Sequence, residues 1–306
     1  MDLAKRAVPL VVSAVLLAFL ASRVDANAVF ELLTPRVALV LVPALLAYAA
    51  ATLALEAWSI VALVEEPPAG FRALSAARIK CASYLLGIVH FALGAGALVL
   101  LVSRQTRLSL PEATGRVLLI TLVDLLVIFA IVTLGGSLVP ELTPVMRLWL
   151  LACAAAGIAG LALLRARFSI GPFEWVRNLP VVRELHLVPN GVLLRLLALR
   201  CLFVTCFVGV CWAAFAAFQV AAPPALIVVG MLVVAFIAGL PIAVAGLGTS
   251  QLAVMTIFAA YASPETLLAK SLTLSTGLLV VRGLMGLCFA RELTREAWRE
   301  RGSATA

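Results

Sequence analysis

Residues 82–102 read ASYLLGIVHFALGAGALVLLV, and the way this run meets a membrane decides the fold. At 21 residues it is long enough to cross, since a spanning helix needs about 20 apolar residues. Its centre, however, is His90-Phe91-Ala92-Leu93-Gly94-Ala95-Gly96, with Gly87 just before it. Glycine permits a tight turn. At membrane depth such a turn is tolerated where protein or water surrounds the backbone. The run is therefore either one crossing or a hairpin that enters and leaves on the same side.

Lipid is the solvent that composition requires. The 306 residues are 64% hydrophobic and 12% charged, with a mean hydropathy of +1.16. Soluble domains hold about 25% charged residues, so half the usual charge cannot cover a water-facing surface. The apolar runs are Ala7–Ala21, Val37–Val64, Ala82–Val102, Val117–Val139, Leu148–Leu164, Cys201–Ala221, Ala225–Gly246, Leu247–Tyr261 and Leu267–Ala290. Residues 1–306 read as a single integral membrane domain, with 165–200 as a cytoplasmic interfacial loop. Phe173, Trp175, Pro172, Pro180 and Pro189 stand among the arginines of that loop, a mix suited to the headgroup layer. The six cysteines lie in or beside apolar runs without a CxxC pair and read as small hydrophobes. Lys5 and Arg6 precede the first run, which ends near Val24-Asp25-Ala26. That pattern fits a signal peptide or an uncleaved first helix, and the uncleaved helix is the reading taken here.

Basic residues choose between the two readings of 82–102. If every run crosses, Arg104, Arg107, Arg116 and the arginines of 165–200 fall opposite Lys5 and Arg6. That violates the excess of Lys and Arg on cytoplasmic loops. If 82–102 is re-entrant, 18 of the 23 basic residues fall on the cytoplasmic side, and Arg23, Arg36, Arg147 and Lys270 on the other. Arg282 lies within a span. A second break follows at Gly239-Leu240-Pro241 and Ala245-Gly246-Leu247-Gly248-Thr249-Ser250, where proline removes a helical donor. The fold predicted is all-α: a polytopic membrane helix bundle of about six crossings, both termini cytoplasmic. Two re-entrant helical hairpins enter it from opposite faces in the layout of an inverted repeat, where discontinuous helices mark a transport site.

Ionisable side chains inside the spans are costly, about 2.5 kcal/mol or more at the centre. Glu56, Asp124 and Arg282 each sit seven or eight residues from the cytoplasmic end of their runs. That places them roughly 10–12 Å deep, at a level the hairpin carrying His90 also reaches. Such a level reads as a polar cavity, as a structural ion pair, or, for Glu56 beside Trp58, as an interface marker. Arg282 is expected to pair with Asp124 first and Glu56 second. The sequence holds no GxxxxGK[ST], HExxH or GxSxG motif, and His90 and His186 are its two histidines. Neither an ATP-driven pump nor an enzyme is indicated, nor a cofactor, a metal or a nucleic-acid partner. The net charge of +8 is spread over loops that face anionic lipid.

Gly239-Leu240-Pro241-Ile242, Ala245-Gly246-Leu247-Gly248 and the run Leu267–Ala290 with Arg282 resemble the lysylphosphatidylglycerol synthase transmembrane, flippase-like family. So do Gly94-Ala95-Gly96, Leu108-Ser109 and Asp124. The chain departs from the family pattern at Gly96-Ala97-Leu98, where Gly-Glu then Arg is usual, at Ser250-Gln251, where Arg-Glu is frequent, and at Thr121, where an arginine normally stands near Asp124. The resemblance implies movement of lipids or lipid-linked glycans between leaflets of the cell (inner) membrane.

Together these readings predict a cleft between the hairpins, lined by His90, Gly94, Gly96, Asp124, Gly246, Gly248, Ser250, Gln251 and Arg282. In it, Gly248-Thr249-Ser250 would present backbone donors to a phosphate headgroup and Arg282 the matching charge. Membrane lipids are the expected partners. The alternatives are a non-transporting scaffold for a membrane-bound biosynthetic partner and a small-solute secondary transporter. In the bland reading, the small residues only let helices pack closely.

Overall fold

The computed structural model describes residues 26–64, 70–89, 91–139, 188–240 and 248–304, with 19, 68, 148, 151–152, 155–160 and 162. The regular elements among them are helices: α1 (Ala26–Glu31), α2 (Pro35–Ala62), α3 (Ala73–Val89), α4 (Phe91–Thr106), α5 (Leu110–Gly136), α6 (Asn190–Ala217), α7 (Pro224–Gly239), α8 (Thr249–Ile257) and α9 (Pro264–Ala304). The predicted all-α class is the one found. Four helical stretches (α2, α5, α6 and Pro264–Phe289 of α9) are 26–28 residues long and apolar. At about 1.5 Å per residue they reach roughly 40 Å, more than the hydrocarbon core needs. They correspond to four of the expected crossings. Of the other two, 7–21 lies outside the described residues except for residue 19, and 148–164 is described in part.

Side-chain placement is that of a protein dissolved in lipid. Leu39, Leu134, Leu194 and Leu287 are exposed on these helices, while Glu56, Ser59, Arg200, Gln251 and Lys270 are buried. In water the apolar groups would be driven inward. In hydrocarbon the polar groups must find partners inside the fold. The chain is a multi-pass membrane protein.

Helix α6 corrects the expected loop 165–200. It starts at Asn190, where the Val192 and Leu193 N–H groups donate to the Pro189 carbonyl at 3.1 Å. Arg195 and Arg200 are therefore helical. The apolar run Val192–Leu199 is interrupted only by Arg195, so the span simply begins earlier than its uncharged part.

Contacts group the chain into two compact units. One holds Ala50–Val127, Ala155–Phe203 and Val280–Ala306; the other holds Met1–Ala49, Ile128–Ala154 and Val204–Leu279.

In the first unit α3 and α4 form a hairpin. Seven residues of continuous helix rise about 10.5 Å. Yet a Cβ placed on Gly94 would stand 2.6 Å from the Gly87 Cα and 3.0 Å from the Ser83 carbonyl oxygen. The chain therefore doubles back, as the glycines predict, although the helices run from Ala73 to Thr106 and exceed the 82–102 run. After α4, Arg107 takes φ 59°. Helix α5 then opens with a reciprocal cap. The Ser109 N–H donates to the Glu112 carboxylate at 2.8 Å and the Glu112 N–H to Ser109 Oγ at 3.4 Å, which satisfies two N-terminal donors.

In the second unit α7 and α8 form the other hairpin. A Cβ on Gly230 would meet Phe258 Cζ at 2.8 Å and Ile257 Cγ2 at 3.0 Å, so the start of α7 lies against the end of α8. The edge-on pair Phe215–Phe258 (4.7 Å) and the tilted pair Phe129–Phe236 (5.3 Å) fill the space around them.

The two glycines of the first hairpin separate its packing from its composition. Gly94→Ala sets a methyl against backbone that cannot rotate away, a form of overpacking that costs about 1–3 kcal/mol. Gly96 has nothing within 4 Å of its Cβ position, and alanine there gains helix propensity of about 0.5–1 kcal/mol. Thermal unfolding in detergent should show Gly94→Ala melting several degrees below the parent and Gly96→Ala level with it or above. Equal melting points would contradict the close crossing.

Candidate functional site

Within the first unit, charged residues from four helices meet at one point. Lys80 of α3 holds Glu56 of α2 at 3.0 Å. Arg200 of α6 lies 3.5 Å from the other oxygen of Glu56 and 3.4 Å from Asp124 Oδ2 of α5. The Arg200 Nη2 donates to Ser59 Oγ at 2.7 Å and to the Leu55 carbonyl at 3.4 Å, and Phe203 lies 4.8 Å from its guanidinium. The Arg200 side chain has no exposed surface, and that of Asp124 is 27% exposed. Two acids and two bases leave the cluster neutral. That is the condition under which buried ions are tolerated, because unpaired ions cost several kcal/mol each. Arg200 Nε and Asp124 Oδ1 have no hydrogen-bond partner among the described residues, so the cluster retains one donor and one acceptor. Nearby, Arg116 donates to the Leu63 carbonyl and ties α5 to the end of α2.

The expected Asp124–Arg282 pair is not formed; Asp124 is bonded to Arg200. Arg282 lies with its guanidinium 5.7 Å from the Tyr84 ring, and its charge acts on Glu56. The shared depth read from the sequence thus brought the right carboxylates together but named the wrong arginine. A count of basic residues by loop puts Lys80 (with Arg72 and Arg78) and Arg200 outside the spans. Their signal was the apolar sequence continuing on both sides of each: Ile79-Lys80-Cys81 and Leu199-Arg200-Cys201.

The second unit holds a different polar group, at the start of α8. Gly248 takes φ 92°, a left-handed conformation open to glycine. Its N–H donates to Gln251 Oε1 at 2.6 Å. The same oxygen accepts from Ser250 Oγ at 3.1 Å, and Gln251 Nε2 donates to Ser275 Oγ of α9 at 3.4 Å. The Gly248 N–H that the sequence reading offered to a phosphate is occupied by the chain's own amide. Gln251 is fully buried and pins the hairpin end to α9.

Five residues earlier on α9, Lys270 is fully buried too. Its ammonium lies 3.5 Å from the Phe215 ring centre, 5.3 Å from that of Phe258 and 3.5 Å from Met231 Sδ. Its neighbours are aromatic faces and a thioether in place of a carboxylate. Counted as an exposed topology marker in the sequence, Lys270 is instead a packing element of the α7–α8 hairpin.

The nine predicted site residues divide accordingly. Asp124 and Arg282 belong to the first unit with Gly94, which is buried in the hairpin crossing, and Gly96, which is exposed. Gly248, Ser250 and Gln251 belong to the second. His90 and Gly246 lie outside the described residues. Among the described residues, no three His, Cys, Asp or Glu side chains gather as metal ligands.

The two buried cations should respond oppositely to neutral replacement. Arg200→Gln leaves Glu56 and Asp124 short of positive charge, which costs about 3–5 kcal/mol when one partner of a buried pair is removed. Adding Asp124→Asn should recover part of that loss. Lys270→Met forfeits a cation–π contact of about 2 kcal/mol but relieves an intramembrane charge of about 2.5–3.5 kcal/mol, so its melting point should hold or rise. Thermal unfolding of the four proteins checks both, and a large loss in Lys270→Met would show the cation to be structurally required.

No curated protein and no solved structure matches the chain. The family model described as the lysylphosphatidylglycerol synthase TM region matches residues 6–281, nine-tenths of the sequence and all of the elements that build both polar groups, and the chain belongs to that family.

Proposed function

We propose that this protein moves a lipid or lipid-linked glycan between leaflets of the cell membrane, as a carrier with no bond-making step. Membership of a lipid-associated membrane family sets the class. The observation that carries the reading is the Glu56–Lys80–Arg200–Asp124 cluster, a polar path through four helices in a region where lipid offers no partners. A headgroup crossing the hydrocarbon needs such groups, and the partly exposed Asp124 carboxylate with the nearby Arg282 offers both signs of partner. On this reading both hairpins are re-entrant and both termini cytoplasmic. Cysteines at positions 72 and 107 of a cysteine-free protein should then react with an impermeant reagent from the same side.

A second reading has its own support. The cluster is nearly closed on itself, which suits a structural core in a scaffold that holds a membrane-bound biosynthetic enzyme. Leaflet-specific labelling of phospholipids in proteoliposomes separates the two. The translocator should speed exchange of labelled lipid over protein-free vesicles. Arg282→Gln should cut that rate at least tenfold while its melting point stays within a few degrees of the parent. A parent protein without activity on any phospholipid or lipid-linked glycan offered sinks the carrier reading; full activity in Arg282→Gln removes the charge from it.

A further inference from the structure

A groove of about 470 Å³ runs along the first unit where the end of α2 meets the start of α6. Trp58, Val61, Ala62, Val192 and Leu199 make apolar walls, and Arg195 is the charged residue among the described residues of its lining. On α6 the residues 192, 195 and 199 follow the spacing of one helix face. Trp58 lies four residues before the end of α2 and Arg195 five residues after the start of α6. Both are therefore roughly 6–8 Å from their helix ends. That is the zone where tryptophan and arginine face the junction of headgroups and acyl chains. Trp58 is 54% exposed. The Arg195 guanidinium makes no ion pair or hydrogen bond with a described residue, in contrast to Arg200 five residues further along α6, which is paired with Glu56 and Asp124.

We propose that this groove is a binding site for an anionic phospholipid. Its phosphodiester sits on the Arg195 guanidinium, which can meet two phosphate oxygens at once. The first methylenes of an acyl chain lie along Val61, Ala62, Val192 and Leu199, with the Trp58 ring at the headgroup boundary. The walls alone would accept any acyl chain; the Arg195 guanidinium makes the site selective for a headgroup with net negative charge. The site is independent of translocation. A bound lipid here wedges the α2–α6 junction that Arg200 and Ser59 close from within.

Trp58 is itself the reporter. With Trp149, Trp175, Trp212 and Trp298 replaced by phenylalanine, the full chain is reconstituted in phosphatidylcholine vesicles. A fixed minor fraction of the lipid is brominated phosphatidylglycerol or brominated phosphatidylcholine. One cationic side chain near the membrane surface is worth about a fivefold preference. Trp58 quenching should therefore show brominated phosphatidylglycerol favoured by about that factor. In Arg195→Gln the preference should fall to near unity while quenching by both lipids persists, because the apolar walls remain. Arg72→Gln, at an exposed site off the groove, should keep the preference. Equal quenching by the two lipids in the parent, or a preference that survives Arg195→Gln, overturns the proposal and leaves only unselective boundary lipid.

Discussion

Arg200 carries a charge where no water can reach it, and the first unit is arranged around meeting that charge. Its guanidinium touches Glu56, Asp124, Ser59 and the Leu55 carbonyl, so α2, α5 and α6 converge on one side chain, and Lys80 brings in α3 through Glu56. Helix association in lipid gains little from hiding apolar surface, because the surroundings are as apolar as leucine. Specificity must then come from polar contacts and close packing. Removing any one charge leaves another without compensation, which is why the cluster behaves as a unit.

Broken helices raise the same difficulty for the backbone. Each end leaves donors or acceptors without intrahelical partners, and the membrane supplies none. The chain answers locally. Ser109 and Glu112 cap α5 reciprocally. At α8 the glutamine side chain reaches back to the Gly248 N–H and forward to Ser275. The first hairpin is held by close approach, with Gly87 against Gly94. The second is held by aromatic rings on glycine and by a lysine sandwiched against those rings. Among the described residues, the Arg200 cluster keeps two buried polar atoms without a hydrogen-bond partner, Arg200 Nε and Asp124 Oδ1.

Spans and turns were legible in the sequence because both follow from one-dimensional signals. Apolar length gives the four long helices, and glycine spacing around His90 gives the first hairpin. Charge roles were less legible. A basic residue at the edge of an apolar run looks the same whether the helix stops there or continues. Lys80, Arg200 and Lys270 were all read as ends, and all three lie inside helices. The depth argument grouped Glu56 with Asp124 correctly because depth depends only on position along a helix. Which cation faces them depends on the rotation of each helix about its axis, and a uniformly apolar span carries almost no periodicity from which to read that rotation.

The departures from the family pattern take on a physical sense in this light. The arginine usual near Asp124 is missing at Thr121, and that threonine is exposed, its hydroxyl turned to the Val117 carbonyl of its own helix. The guanidinium that Asp124 requires arrives from α6 instead, at Arg200. Gln251 stands where an acid is frequent and does in neutral form what a carboxylate would do at a helix start, accepting from the Gly248 N–H. A carboxylate in that buried position would bring a charge needing its own partner, whereas the amide also donates to Ser275. Neutral Gln251 thus places no ion at this buried helix start, and the buried cation of the second unit, Lys270, is met by aromatic faces and a thioether. A headgroup carrying both signs would accordingly find its partners beside Arg200 and Arg282, not at the tip of the second hairpin.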